Sequence, residues 1–260
     1  SKKLALQEAE LAECAKKEEY KRMGDLITAN MYQLKRGMTK VNVIDYYDEE
    51  MPEVEITLDS RLAPAQNAQS YYKKYNKAKH AEKELALQIE AAEEELRYID
   101  TVADSLERAV GQSELDEIRR ELLSAGYGSK IKKAAAAKPI KTKPLEYVTS
   151  GGYRLLCGKN NLQNDHITTK VAAKSDWWFH VKNAPGSHVI MFLDGKGEPD
   201  AKDFTEAAAL AAFHSSLSDG ESVAVDYTEV RYIKKPAGAK PGFVTYTTYW
   251  TAYVTPQDIK

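Results

Sequence analysis

Tyr71, Tyr75, Ala78, Glu82, Leu85, Ile89, Ala92, Leu96, Ile99, Ala103, Leu106 and Val110 recur four and three residues apart through YYKKYNKAKHAEKELALQIEAAEEELRYIDTVADSLERAV (71–110). Eleven of the twelve are apolar or aromatic, and no Gly or Pro interrupts the 40 residues. That is the period of a coiled-coil seam. At about 1.5 Å per residue such a helix is a rod of ~60 Å. Pro64 suits its first turn. Upstream, Leu4, Leu11, Cys14, Met23, Leu26, Ile27 and Leu34 form a looser stripe, predicting an earlier helix that ends near Gly37. Two such helices in succession predict an antiparallel hairpin. Between them the period falls to two: Val41 and Val43, a turn at Asp48–Pro52, then Val54, Ile56 and Leu58. A small β-hairpin module at about 38–60 follows from this alternation. A further helix, Glu114 to Ser124, stops at Gly126-Tyr127.

Outward from this seam the composition changes. Before residue 128 the chain is rich in Ala, Glu, Leu and Lys; after residue 149 it is rich in Val, Tyr, Thr and Gly. The net charge of −2 hides a division: −6 over residues 1–130, +4 over 131–148, and balance over 149–260. The expected organisation is therefore a coiled-coil arm at 1–127, a basic, flexible linker at 128–148, and a second domain at 149–260. In that domain Tyr153–Cys157, Trp177–Val181, His188–Leu193, Val223–Ile233 and Phe243–Val254 read as strands. Asp165–Ala173 and Phe204–Ser216 read as helices. The fold class expected for the whole is α+β.

Several classes are excluded. The 43% hydrophobic content rules out a wholly disordered chain, and near-neutral charge rules out a uniformly basic nucleic-acid binder. No run of 18 apolar residues is present, so no membrane insertion is expected. Cys14 and Cys157 make no disulfide framework and suit a reducing compartment. The chain opens Ser1-Lys2-Lys3-Leu4, as though already inside a helix, and reads as a piece of a longer protein.

Three stretches carry candidate chemistry. Gly158-Lys159-Asn160-Asn161-Leu162-Gln163-Asn164-Asp165 follows a strand and enters a helix. Its Lys159, Asn160, Asn161, Gln163 and Asn164 side chains supply donors suited to phosphate or base edges. The same residues also suit a turn with an Asn N-cap, though a cap needs only one or two of them. Asp176-Trp177-Trp178-Phe179-His180 and Pro185-Gly186-Ser187-His188-Val189 form the second stretch. Strand alternation puts Trp177 and Phe179 on one face, and Trp178 and His180 on the other. One aromatic face is core, while the other could stack bases. His180, His188 and Cys157 invite a zinc site, but no ligand spacing supports one, and no metal or cofactor is expected. Third, Arg231 to Gly242 carries Arg231, Lys234, Lys235 and Lys240 without an acid, stiffened by two prolines. A solvated loop is its simpler reading. On the arm, Lys73, Lys74 and Lys77 alternate with tyrosines, and Lys35, Arg36 and Lys40 lie before the β module. No nucleophile–base pair, P-loop or dinucleotide fingerprint is present, so no catalytic residue and no enzyme are expected.

Gly158-Lys159-Asn160-Asn161-x-Gln163-Asn164, Asp176-x-Trp178-x-His180, Pro185-Gly186-Ser187-His188-Val189 and Lys234-Lys235-Pro236-x-Gly238-Ala239-Lys240-Pro241-Gly242 resemble the NFACT-R domain that ends the bacterial RqcH proteins, also called the fibronectin-binding protein A family. Asn67-Ala68-Gln69-x-Tyr71-Tyr72-Lys73-Lys74-Tyr75-x-Lys77 and Leu122-x-x-x-Gly126-Tyr127 resemble that family's coiled-coil and middle region. The resemblance implies a cytoplasmic ribosome quality-control factor. Such a factor anchors to the large ribosomal subunit and its ribosomal RNA, and supports alanine tailing of stalled chains. Alanyl-tRNA recognition would belong to an N-terminal half outside this sequence. The candidate RNA contacts, read from side-chain chemistry, are Lys159, Asn160, Asn161, Gln163, Asn164, Trp178, His180, His188, Arg231, Lys234, Lys235 and Lys240. Ribosome contacts of the arm would fall to Lys35, Arg36, Lys40, Lys73, Lys74 and Lys77. The alternative from the same family is a surface adhesin, a virulence factor binding host fibronectin or fibrinogen through this half.

Overall fold

A computed structural model describes residues 2–128 and 142–259; residues 129–141, on which most of the expected linker falls, lie outside the described residues. The architecture is α+β. By its internal contacts the chain divides into two units between Glu95 and Leu96, within one long helix, not at the linker.

The first unit begins with α1 (Lys2–Cys14) and α2 (Lys17–Ala29), followed by a single 3-10 turn at Met31–Gln33. The helix stops short of the expected Gly37 because the Asn30 side-chain amide donates to the Leu26 carbonyl (2.9 Å), satisfying a terminal acceptor. Next come β1 (Lys40–Ile44) and β2 (Glu53–Thr57), paired antiparallel with Val41 opposite Ile56 and Val43 opposite Val54. The 44-residue helix α3 (Pro64–Glu107) follows. Gln7 donates to Gln88 (2.8 Å), Lys17 pairs with Glu82, and Tyr72 donates to Asp25 (2.6 Å). Partner numbers fall along α3 as they rise along α1 and α2, so the helices run antiparallel. Leu26 and Ile27 from α2, Val41, Val43 and Ile56 from the β-hairpin, and Ala68 and Tyr71 from α3 share one core. The alternation seen between residues 41 and 58 is thus a two-stranded cap whose apolar face closes on the helices.

The seam of α3 changes position at the unit boundary. Up to Leu85 the buried residues follow the four–three spacing, but beyond Leu96 burial falls on Tyr98, Val102 and Ser105. These lie one position before the expected Ile99, Ala103 and Leu106, and Val110 stands outside the helix and exposed. The reason is a change of partner: Tyr98 and Val102 pack with Ile118 of α4 (Gln112–Ser124).

The rest of the second unit is built on a six-stranded antiparallel sheet in the order β10-β7-β5-β6-β4-β3. Its strands are β3 (Leu145–Val148), β4 (Arg154–Cys157), β5 (Trp177–Val181), β6 (Val189–Phe192), β7 (Val223–Glu229) and β10 (Trp250–Val254). Helix α6 (Ala201–Phe213) lays its alanines against Leu155, Cys157, Phe179, Val181, Val189 and Met191. The small side chains bring helix and sheet close, and a reciprocal capping box between Asp200 and Asp203 starts the helix. The opposite face carries Leu156, Trp178, Ile190 and Phe192. It is covered by α5 (Asn161–His166), whose π-turn continuation spans Ile167–Val171, and by a short hairpin of β8 (Ile233–Lys234) with β9 (Thr245–Tyr246). Two expected strands are therefore broken. The run from Val223 leaves the sheet after Glu229, where Val230 N–H bonds Asp176 O and Arg231 N–H bonds Lys174 O. The run from Phe243 splits into β9 and β10. No helix among the described residues is long and apolar enough to cross a membrane.

Candidate nucleic-acid interface

The turn after β4 is built by its own amides. A Cβ at Gly158 would lie 2.9 Å from the Asn164 nitrogen, so the chain passes there only as glycine. Asn160 is the N-cap of α5, its side-chain oxygen accepting from Gln163 N–H (3.0 Å). Lys159 N–H donates to the Gln163 side-chain oxygen (3.1 Å), and the Asn164 oxygen accepts from His188 N–H (3.0 Å).

The Asn164 amide donates to the Gly186 carbonyl (3.4 Å), and the side-chain donors of Lys159, Asn160, Asn161 and Gln163 meet α4. Glu114, Glu117 and Glu121 stand three and four residues apart, on one face of that helix. Lys159 donates to Glu114 (2.6 Å), Asn160 to Glu117 (2.8 Å), Gln163 to Glu117 (3.1 Å) and Asn161 to Glu121 (2.9 Å). Thr142 adds its N–H and hydroxyl to Glu117 (2.7 Å each), and Tyr98 adds its hydroxyl to Glu121 (2.9 Å). Burial pushes the Glu121 carboxyl above its ordinary range. Asn160, Asn161, Gln163 and Asn164 are all buried, so the amides that read as RNA donors are hydrogen-bonded within the protein.

The basic loop joins the same assembly. Gly242 (φ +78) passes so close to Asn161 that a Cβ there would sit 2.8 Å from its side-chain oxygen. Lys235 pairs with Asp165, and Lys240 bonds the Tyr127 hydroxyl while lying 4.4 Å and 4.6 Å from the ring centroids of Tyr98 and Tyr127. Arg231 pairs with Glu229, while Lys234 is exposed and, among the described residues, has no salt bridge. The structure thus brings the motif and the loop together, with α4 as a third member.

Trp178 is core, 1% exposed, and stacks on His180 (5.6 Å) with His188 at its edge (5.2 Å); it offers no ring face to a base. His188 Nδ1 meets the Thr168 hydroxyl (2.8 Å). Burial lowers His180 to about 4, and burial with the neighbouring His180 holds His188 well below its usual value, so both are neutral at pH 7. Among the described residues no three His, Cys, Asp or Glu side chains converge as a metal site. On the arm, Lys35 and Arg36 are exposed ahead of β1, and Lys40 pairs with Glu55 (3.0 Å). Lys73 and Lys77 are exposed on α3, and Lys74 lies over the Tyr71 ring (4.8 Å).

Residues 1–141 match the family described as NFACT N-terminal and middle domains, and residues 143–247 match the NFACT protein RNA binding domain. The chain belongs to the NFACT family. Rqc2 homolog RqcH of Bacillus subtilis is 43% identical over 92% of this chain, and its namesake in Streptococcus suis 41% identical over all of it. This NFACT chain spans 41% and 46% of the length of those two relatives. Among solved structures, the C-terminal part of the fibronectin/fibrinogen-binding protein from Streptococcus suis aligns over 99% of this chain and 88% of that one. The TM-score is 0.72 at 35% identity.

Two features escaped the sequence reading. The acidic stripe of α4 was visible as Glu114, Glu117 and Glu121 at helical spacing, but nothing in it points to its partner. The exposed rings of Tyr249 and Tyr253 were absorbed into an expected strand, where alternation alone does not say which face is covered.

Proposed function

We propose that this chain is the RNA-contacting part of a ribosome quality-control factor. It holds the protein on the large ribosomal subunit, through ribosomal RNA, while the rest of the protein handles tRNA and supports alanine tailing. The role is binding, not catalysis, and its place is the cytoplasm. The observation that carries this reading is the match of residues 143–247 to an RNA binding domain, in a chain whose relatives are Rqc2 homologs.

The surface chemistry supports it. Lys170 and Lys174 are exposed at the π-turn and its exit, and Arg231 N–H bonds Lys174 O (3.0 Å). The Lys235–Asp165 pair brings β8 and its exposed Lys234 alongside α5. Five cations against Asp165, Asp176 and Glu229 leave this stretch with a local excess of positive charge, which attracts phosphate within a Debye length of about 8 Å. Near-neutrality of the whole chain does not oppose a patch on that scale.

The test is co-sedimentation of the chain with purified large subunits across a salt series. Binding should weaken steeply with salt, and Lys234→Ala with Lys235→Ala should flatten the log–log slope by roughly one to two units, since two phosphate contacts are lost. Binding that ignores both salt and these lysines would refute the reading. A second reading rests on the printed name of the Streptococcus suis structure: contact with fibronectin or fibrinogen. Immobilised fibronectin retaining the chain at a salt concentration that abolishes subunit binding would favour it.

A further inference from the structure

The face of the sheet away from α6 ends at β10 beside two exposed tyrosine rings, of which Tyr249 packs edge-on against Tyr246 (5.1 Å). Tyr253 is 73% exposed and Tyr249 43% exposed. On β10 the register sets Thr251 opposite Asp226 and Tyr253 opposite Ala224, so Tyr253 and Thr251 share the face away from α6. Lys182, just past the end of β5, lies 5.1 Å from the Tyr249 ring centroid, and its backbone N–H donates to the carbonyl of Ala224 (2.8 Å), the residue opposite Tyr253. The ammonium is held in place: it donates to Asp226 and to the Thr251 hydroxyl (3.3 Å each). Asp226 is fixed in turn by Thr251 (2.6 Å) and by the Tyr246 hydroxyl (2.8 Å). The Asp226 side chain is 3% exposed and that of Lys182 34%, so the carboxylate faces inward and the cation outward.

We propose that Tyr249 and Tyr253 form a base-stacking platform for single-stranded RNA, with Lys182 between them meeting the backbone. The inference rests on the reading that this domain binds RNA, and places part of that binding beyond residue 247, where the family match ends. Every base has a π-face, so aromatic rings beside a cation bind single strands with little regard to sequence. Tyr249 immediately precedes β10 and Tyr253 lies within it, so their Cα atoms are at most about 13 Å apart, a span that one short RNA strand covers. Lys174 and Arg231 lie near the other end of β5, and that strand is only ~16 Å long. One short strand of RNA therefore reaches both the platform and the basic patch. Nucleic acid is favoured over a peptide because the exposed rings flank a fixed cation, not aliphatic side chains.

The test uses the full 260-residue chain with a fluorescein-labelled twelve-nucleotide oligo(U), and inorganic polyphosphate as a ligand without bases. Tyr253→Ala and Tyr249→Ala should each raise the Kd for oligo(U) about tenfold, the loss expected for one base–aromatic stack. The salt slope and the polyphosphate affinity should stay at the parent's values. Tyr253→Phe and Tyr249→Phe should bind like the parent, because the ring is kept. If the alanine variants bind oligo(U) as the parent does, the platform is refuted while RNA binding stands. Equal loss for oligo(U) and polyphosphate would also refute it, because stacking would not be what was removed. A parent chain that binds no RNA at low salt would overturn both the platform and the reading beneath it.

Discussion

Glu117 offers the sharpest test of how the second unit is assembled. Its carboxylate receives the Asn160 and Gln163 amides together with the N–H and hydroxyl of Thr142, all at 2.7–3.1 Å. Glu117, Asn160 and Gln163 are buried. A hydrogen bond to a charged group contributes about 1.5–3 kcal/mol net, and a buried donor left unpaired costs about 1–3 kcal/mol. These terms overlap, so Glu117→Ala, which removes several hydrogen bonds at once and leaves buried amide donors unpaired, should destabilise the unit by about 3–5 kcal/mol. The three tryptophans, Trp177, Trp178 and Trp250, all lie in the sheet, so their fluorescence reports this unit alone. With a urea m-value of about 2 kcal/mol/M the fluorescence midpoint should fall by roughly 2 M. A midpoint unchanged by Glu117→Ala would mean that α4 does not support the sheet domain, and residues 149–260 would then be the independent body that the linker position suggests.

Further outcomes follow from the same structure. Glu121 has a raised pKa in the folded state, so its contribution is full at low pH and is lost as pH rises through the folded value; Glu121→Gln, keeping the acceptor for Tyr98 and Asn161, should hold or raise the neutral-pH melting temperature. His180 and His214 (the C-cap of α6, its Nε2 2.9 Å from the Tyr147 hydroxyl), both lowered by burial to about 4, act in the opposite sense: their stability is lost as pH falls from about 6.5 to 4, by at most about 3 kcal/mol each, visible as a falling tryptophan-detected melt. Gly24→Val should cost about 1–3 kcal/mol, because a Cβ there already lies 3.0 Å from the Tyr72 ring; helix-detected melting checks it. Leu96→Pro should remove roughly 3 kcal/mol or more from α3 and reduce far-UV helicity.

The fold was legible where periodicity was strong. The antiparallel helices, the two-stranded cap and α6 follow from runs of apolar residues whose spacing admits one geometry. The misread boundaries share a cause, which is that tertiary hydrogen bonds act at points where propensity is neutral. Asn30 ends α2 by bonding Leu26, and β7 ends where its ladder with β5 slips: Val230 N–H keeps register with Asp176 O, but Arg231 and not Tyr232 bonds Lys174 O. The drift of the α3 seam is similar. Four–three spacing describes a helix with one partner, whereas α3 packs on α1 and α2 up to the boundary and on α4 beyond it.

The site shows why donor-rich motifs are ambiguous in a sequence. Asn160, Asn161 and Gln163 present N–H groups that a phosphate oxygen and a carboxylate oxygen accept equally well. Choosing between them requires knowing what stands opposite. Here that is α4, some 40 residues earlier, whose three glutamates have no sequence signature beyond helical spacing. Burial then decides what the motif does: amides enclosed with carboxylates hold the unit together, and the side chains left free to meet a ligand lie outside that contact. Lys234 and the Tyr249–Tyr253 rings are such side chains, the first in the sequence-predicted loop and the others not singled out by sequence at all. The distinction has a measurable consequence. Substituting Asn160 should lower stability and leave RNA affinity of the folded protein near the parent's value, whereas substituting Lys234 should do the reverse. Loss of affinity in a stably folded Asn160→Ala chain would show that the amides reach RNA after all, and that the α4 contact opens when they do.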